Sequence, residues 1–464
     1  MDASSSAGVF DRAHRGTTVG LLMLITFIAF EAMAVGTAMP TAVAELDGLA
    51  WYGWPFSAFL VASVVGMVIG GDAGDRRGPR LALPGGVALF AAGLLVAGLA
   101  GHMAVFVAGR VVQGLGAGVM VVLLYVIAGQ AYEPALRPRL FGAFSAAWVL
   151  PALVGPVVAG LVTAHATWRL VFLGLLPLIV VGALLVVSAG RSFTPPENPA
   201  ATAPARRWWA VLAGVGVAAL QYAGQRLDLL AAGLAVVGVA ALVAGLRPLL
   251  PAGTVRARAG LPAVVASRGL LAGAFFGMDA LLPLALTSVH GYSPTAAGIP
   301  LTAGAFGWCL ASNLQGRLPG VPRERLLRAG FALLALGLAG SALAAVPALG
   351  GWPAYPFWAL AGLGMGLGMP SVAVLLLDQS PEHRRGADSA ALQISDVTAS
   401  ALCIGLAGVL IAAATADLVS LPVAIIASAS VFTAVAVLGG VVAGRAAAPP
   451  AGAVPPGAST LATS

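Results

Sequence analysis

The chain has 464 residues, 59% of them hydrophobic and only 9% charged, with a mean hydropathy of +0.97, values that exclude a soluble domain of this length. All 24 basic residues are arginines, which excludes a Walker-type phosphate loop and a Schiff-base lysine and makes an ion gradient a better energy source than bound ATP. The net charge of +7 reflects arginines gathered on one side of a membrane rather than a nucleic-acid surface.

Taking about 20 apolar residues per crossing, the first six spans are expected near residues 18–42, 55–71, 81–100, 104–129, 140–162 and 169–190. The first run follows Arg12 and Arg15 like a signal peptide, but it is too long and many similar runs follow, so it reads as an uncleaved span. A polar, proline-rich segment from Arg191 to Arg207 leads to two further apolar runs, 208–223 and 227–246, the first short for a crossing. Six more spans are expected near 264–289, 295–314, 326–346, 354–377, 388–413 and 420–444, and the Pro-, Ala- and Gly-rich tail, 445–464, reads as disordered. The expected fold is thus an all-α polytopic membrane protein. It has a cytoplasmic N-terminus (1–17), a six-helix bundle (18–190), a linker with two extra membrane helices (191–263) and a pseudo-symmetric second bundle (264–444), about fourteen spans in all.

Charge tests that arrangement. With the N-terminus in the cytoplasm, 21 arginines fall on the inner side, Arg169 and Arg226 on the outer side, and Arg110 inside a span. Both termini are therefore expected in the cytoplasm, in a plasma-membrane protein. Dropping the middle pair would keep the same parity, so charge alone does not separate twelve spans from fourteen.

Two places repeat between the halves. Phe27 to Ala32 (FIAFEA) matches Phe275 to Ala280 (FFGMDA), each with an acid four residues after a phenylalanine; GLGAGVM at 114–120 matches GLGMGLG at 362–368. Related halves with acids at matching depth point to a cavity between them, served alternately from each side.

Glu31 lies in the middle of the first span, where a carboxylate is disfavoured by roughly 3 kcal/mol, so it is the first candidate for a proton or substrate site. A protonated Glu bonded between helices for packing alone is the competing account. An intramembrane Arg110 needs a partner, and Glu31 or Gln113 is placed to supply it; the alternative is a guanidinium capping carbonyls near the outer face. Asp279, with Pro283 one turn on, is the second acid. Ser389, Gln393, Asp396, Ser400 and Cys403 share one helical face, and Gln393 and Asp396 are expected to face the cavity or a neighbouring helix. Gly114 and Gly118 read as close-packing positions, and Gly155 with Pro156 as a kink in span five. Cys309 and Cys403 read as buried packing residues, Trp208 and Trp209 as inner-interface anchors, and no histidine is given a chemical role. No cofactor, metal or nucleic acid is expected, and neither a nucleophile–base pair nor a metal cluster stands out, so the chain does not read as an enzyme.

After span two comes the segment GDAGDRRGPR, Gly71 to Arg80, read as an inner loop turned by Gly78, with Asp75 among Arg76, Arg77 and Arg80 as a latch that breaks when the bundles move. Its spacing, filled by Gly71, Asp75, Arg76, Gly78 and Arg80, resembles the signature between spans two and three of the major facilitator superfamily. Glu31 to Pro40 is similar to the first-span motif of drug:proton antiporters, with Glu for Asp and Gly36 for Asn. Arg110, Gln113, Gly114 and Gly116 resemble the fourth-span motif, and Gly155, Pro156 and Gly160 the span-five motif, with Ala159 where a glycine is usual. The six-plus-two-plus-six layout resembles the fourteen-span exporter branch. The resemblance implies proton-coupled export of a lipophilic or cationic small molecule. It links the fourth-span arginine, Arg110, to proton coupling and span five to the control of leak; the mid-span acid Glu31 is then expected to carry the proton with Asp279 assisting, and the expected assembly is a monomer. A solute-uptake symporter and a non-transporting receptor or lipid-handling protein are the alternative readings. The equivalent of the latch in the second half, 315–325, is degenerate, and the missing asparagine leaves the substrate class open.

Overall fold

A computed structural model describes residues 8–11, 14–133, 136–189, 205–224, 229–316, 321–381 and 385–447. The described residues form helices and no strand, as expected where hydrocarbon offers the backbone no partners and each segment must satisfy its own N–H and C=O groups. The helices are α1 (Arg15–Glu45), α2 (Trp54–Arg77), α3 (Pro79–Gly98), α4 (Met103–Ala131), α5 (Arg137–His165), α6 (Arg169–Leu173), α7 (Leu176–Ala189), α8 (Ala205–Ala223) and α9 (Leu229–Leu246). They continue as α10 (Leu261–Leu284), α11 (Pro294–Gly316), α12 (Arg323–Ala342), α13 (Ala354–Gln379), α14 (Arg385–Thr415) and α15 (Leu421–Ala443).

Twelve stretches among the described residues are long and apolar enough to cross a bilayer. The two expected spans outside that set fall short for separate reasons. The apolar part of α8, Trp208–Ala223, is short. In α11, Thr295, Thr302, Ser312, Asn313 and Gln315 dilute the hydropathy. The expected sixth span is broken into α6 and α7, with Gly174 and Leu175 at the break and Pro177 just inside α7. The linker 191–204, Arg226 and the tail from 448 lie outside the described residues.

The segment from Gly71 to Arg80 is not a loop. Helix α2 runs on to Arg77 and α3 starts at Pro79, so Gly78 alone makes the turn, at φ 78° and ψ 153°, a left-handed value that favours glycine. Charged residues at the membrane surface do not interrupt a helix, because its backbone bonds are already made within the segment.

Helix contacts pair α2 with α4, α3 with α4, and α1 with α5 and α7; later in the chain they pair α11 and α12 with α13, and α10 with α14 and α15. The α2–α4 and α11–α13 contacts are equivalents. A Cβ on Gly114 or Gly118 would strike the carbonyl oxygens of Phe59 and Ser63, and one on Gly362 or Gly366 those of Gly304 and Trp308. These glycines let backbones touch, as the sequence pattern implied. Contacts between the early and late helices also come in matched sets, α5 with α11 and α14 with α2, with α1 meeting α10 between them.

The face on which α1 begins is here the N-terminal face, and that on which it ends the far face. On the N-terminal face the Thr18 hydroxyl and the Tyr132 phenol share a hydrogen bond of 2.6 Å, and His14 stacks on Tyr132 at 5.0 Å. On the far face Glu45 accepts from Trp168 Nε1 at 2.7 Å and from Arg169, which also donates to the Ala100 carbonyl at 3.1 Å. Early and late helices touch there as well: Gly160 lies against Thr295, Gly298 against Pro156, and Gly53 against Gly408. Helices α8 and α9 pack on each other, and α8 rests on both α2 and α14.

Candidate functional site

Sixteen residues into α1, Glu31 is fully buried, and Arg110, two turns into α4, is 2% exposed. An isolated ion at that depth is expensive, so each needs a counter-charge. Arg110 Nη1 bonds Glu31 Oε1 and also donates to Gln113 Oε1 at 2.6 Å, one turn along the same helix. Its Nε donates to the Pro55 carbonyl at 3.1 Å, and the guanidinium carbon sits 4.3 Å from the centre of the Phe59 ring. One arginine thereby ties α1, α2 and α4 together. Both partners anticipated for it are present, Glu31 and Gln113.

The cluster is incomplete in one respect. Glu31 Oε2 and Gln113 Nε2 are buried and make no hydrogen bond. Buried polar atoms are rarely left so, and the carboxylate has capacity in reserve for a proton or another donor. Glu31 does not line an open hollow in this conformation, which corrects the expectation of a cavity-facing acid; the site is closed over it.

Asp279 is the contrast. It lies on α10 close to Gly36 of α1, is only partly buried, and has no hydrogen-bond or ion-pair partner among the described residues. Pro283, one turn on, has no N–H to give the Asp279 backbone carbonyl, so the usual helical bond is missing there. Tyr52, unnoticed in the sequence, donates its hydroxyl to the Ala280 carbonyl at 2.7 Å and bridges the far-face end of α1–α2 to α10 beside Asp279. A free acid at the contact of early and late helices is placed to meet a cation or a proton.

The remaining candidates separate. Asp396 of α14 does not face a cavity alone: Arg268 Nε and Nη2 both reach its Oδ2 at 2.7 Å. Arg268 lies two turns inside α10. Gln393 is exposed on α14. Ser400 is buried with its hydroxyl unpartnered. Arg76 pairs with Asp72 at 2.8 Å, one turn back on α2, and a Cβ on Gly71 would meet open space. The side chains of Asp75, Arg77 and Arg80 lie outside the described residues, so the expected latch has no described geometry beyond Arg76 and Gly78. In α5, Gly155 faces Phe30 and Met33 of α1, whereas Gly160 and Pro156 press on α11, so this motif forms part of the contact between early and late helices. Met365 and Met369 are buried and fill the core, Trp208 is exposed, and both cysteines are free.

The family model for the Major Facilitator Superfamily matches residues 20–402. The chain is 26% identical over 396 residues to the multidrug transporter protein MdtP of Bacillus subtilis (strain 168), covering 79% of this chain and 70% of that protein. It is 24% identical over 171 residues to the multidrug efflux pump SdrM of Staphylococcus aureus (strain N315), covering 37% of this chain and 38% of the pump. Among solved structures it resembles an auto-inhibited POT family peptide transporter, with a TM-score of 0.67, 17% identity and coverage of 94% and 98% of the two chains. A D-xylose–proton symporter gives 0.61 at 18% identity, with 94% and 97% covered. At these identities the solved structures establish the fold alone. The family match spans most of the helices described above and includes Glu31, Arg110 and Asp279; the chain belongs to the major facilitator superfamily of membrane transporters and is not an enzyme.

Proposed function

We propose that the chain exports lipophilic or cationic small molecules in exchange for protons, by alternating access between two related six-helix bundles, α1–α7 and α10–α15. In this reading α8 and α9 are two further membrane helices, fourteen in all, both termini are cytoplasmic, and the protein works as a monomer in the plasma membrane. The observation that carries the reading is the buried Glu31–Arg110 pair with one carboxylate oxygen unmet, set against a partnerless Asp279 where α1 meets α10.

Ionised Glu31 is tolerated because Arg110 faces it. A proton on Glu31 would remove that attraction and leave Arg110 held by Gln113, the Pro55 carbonyl and Phe59, so protonation changes the relative cost of states that open or close around the pair. Asp279 supplies the negative charge a cationic substrate would meet, and exchange of cation for proton there couples the two gradients. The Gly155, Pro156 and Gly160 motif supports a leak seal, since its far-face end carries part of the contact between the bundles. Gly71, Asp75, Arg76, Gly78 and Arg80 remain the proposed latch on the N-terminal face, and Gln113, Gln393 and Asp396 the proposed polar cavity lining. The names of the multidrug relatives support the substrate class.

The test is an inward proton gradient imposed on proteoliposomes carrying a lipophilic dye cation. Expulsion of the dye by wild type and its loss in E31Q supports the proposal; accumulation would mean an uptake symporter, and transport unimpaired by E31Q would remove Glu31 from the mechanism.

A further inference from the structure

Helix α10 is walled in on all sides but one. A Cβ on Gly269 or Gly273 would strike Ser395 or Ala399 of α14, one on Gly277 the Phe432 ring of α15, and Leu271 presses on Gly368 of α13. The Phe275 ring stacks on Trp358 of α13, with centroids 4.6 Å apart. The arc left between Phe275 and Gly269 points toward the early helices, where the Asp279 carbonyl lies by Gly36 of α1. Beyond its first turn, the residues of α10 that are not buried are Ala266, Arg268, Leu270, Phe276 and Asp279. Ala266 and Leu270 pack toward Val442 of α15. The other three fall in the open arc, within about 80° of one another at 3.6 residues per turn, and so line the hollow between early and late helices. They run from Asp279, by the closed far face, to Arg268, three turns nearer the N-terminal face and about 16 Å away along the axis.

The ion pair of Arg268 does not spend all of its donors. Nε and Nη2 converge on a single oxygen of Asp396, at 2.7 Å each, whereas Nη1 and Asp396 Oδ1 have no partner among the described residues, and the two side chains are 20% and 12% exposed. An arginine and a carboxylate paired for structure alone commonly meet fork to fork, using both oxygens. Here N–H donors remain available at the edge of the hollow, and a guanidinium with free donors in a site shielded from water recognises a carboxylate. The stripe on α10 thus carries, in order, donors for an anion, an aromatic ring for an apolar body and an unpaired carboxylate for a cation.

We propose that the hollow takes amphoteric aromatic molecules, with the acid group on Arg268, the cationic group at Asp279 and the ring system against Phe276 between them. The assignment rests on the reading of Asp279 as the cation site, and it widens the substrate class from cations to molecules that carry both charges. Asp396 then neutralises Arg268 while the hollow is empty or holds a simple cation, which a lone guanidinium at that place would repel.

The experiment measures dissociation constants by isothermal titration calorimetry on the purified full chain in detergent. One ligand is a biphenyl with an aminomethyl group at one end and a carboxylate at the other; its comparison is the methyl ester, which keeps the amine and the rings but not the negative charge. Wild type should bind the acid about tenfold more tightly than the ester. R268Q should erase that preference. D396N, which releases the guanidinium, should bind the acid at least as tightly as wild type does, and it keeps the assignment testable should R268Q not fold. Equal affinity of wild type for acid and ester, a preference that survives R268Q, or its loss in D396N would overturn the assignment. D279N should weaken both ligands alike; affinities indifferent to D279N, with an acid preference that R268Q abolishes, would count against the cation site and not against Arg268.

Discussion

Replacing Glu31 by Gln keeps the side-chain volume and one acceptor oxygen but removes the charge opposite Arg110. With the guanidinium 2% exposed, the ion would be left with Gln113 Oε1, the Pro55 carbonyl, the Phe59 ring and a neutral amide oxygen. Removing one partner of a buried ion pair costs about 3–5 kcal/mol, and a retained hydrogen bond to the new amide recovers about 1 kcal/mol, so E31Q should lose about 2–4 kcal/mol. The amide Nε2 that replaces Oε2 inherits its partnerless surroundings and gives no relief. Discharging both sides, in E31Q/R110Q, should recover about 1–3 kcal/mol of the loss, because the two substitutions act on one contact. Unfolding midpoints of the purified variants in detergent read the first effect, and proteoliposome transport reads the second: the double variant should regain stability while remaining inactive. An E31Q protein as stable as wild type, or a double variant less stable than either single one, would refute the ion pair as the organiser of this site.

Asp279→Asn should behave oppositely, with a midpoint within about 0.5 kcal/mol of wild type because no partner is lost, yet with proton-driven transport abolished; a large loss of stability would point to an unseen structural role. Gly118→Ala should destabilise by about 1–3 kcal/mol through collision with the Ser63 carbonyl, whereas Gly71→Ala, whose Cβ meets open space on a helix, should be neutral or stabilising by up to about 1 kcal/mol, both read from unfolding midpoints. On the far face, Glu45→Ala removes an accessible contact to Arg169 and Trp168 and should cost only about 0.2–1 kcal/mol, with transport retained.

Twelve of the fourteen expected spans were legible because bilayer thickness demands about 20 apolar residues and the chain supplies them in countable runs. The Glu31–Arg110 contact was legible for a related reason: charge inside a span is so unfavourable that two such residues in neighbouring helices are forced toward one another. Asp396 shows the limit. Its spacing put it on a polar face, but whether that face met a cavity or Arg268 depends on the register between α10 and α14, which no local pattern encodes. The polarity of the Gly71–Arg80 segment imitates a loop in the sequence, although α2 needs only Gly78 to end it. Tyr52, Ser57 and Gln221 carried no signal, being single polar groups whose meaning comes from tertiary contacts. The break in the sixth span did have one, in Gly174 and Pro177.

Proton release on substrate binding tests the central claim most directly. Purified protein in weakly buffered detergent is mixed with a lipophilic dye cation, and the pH change is followed with a pH indicator. Wild type should release protons in proportion to dye bound, and E31Q and D279N should release fewer; dye binding with no proton released, or release unchanged in both variants, would contradict exchange of cation for proton at these carboxyls.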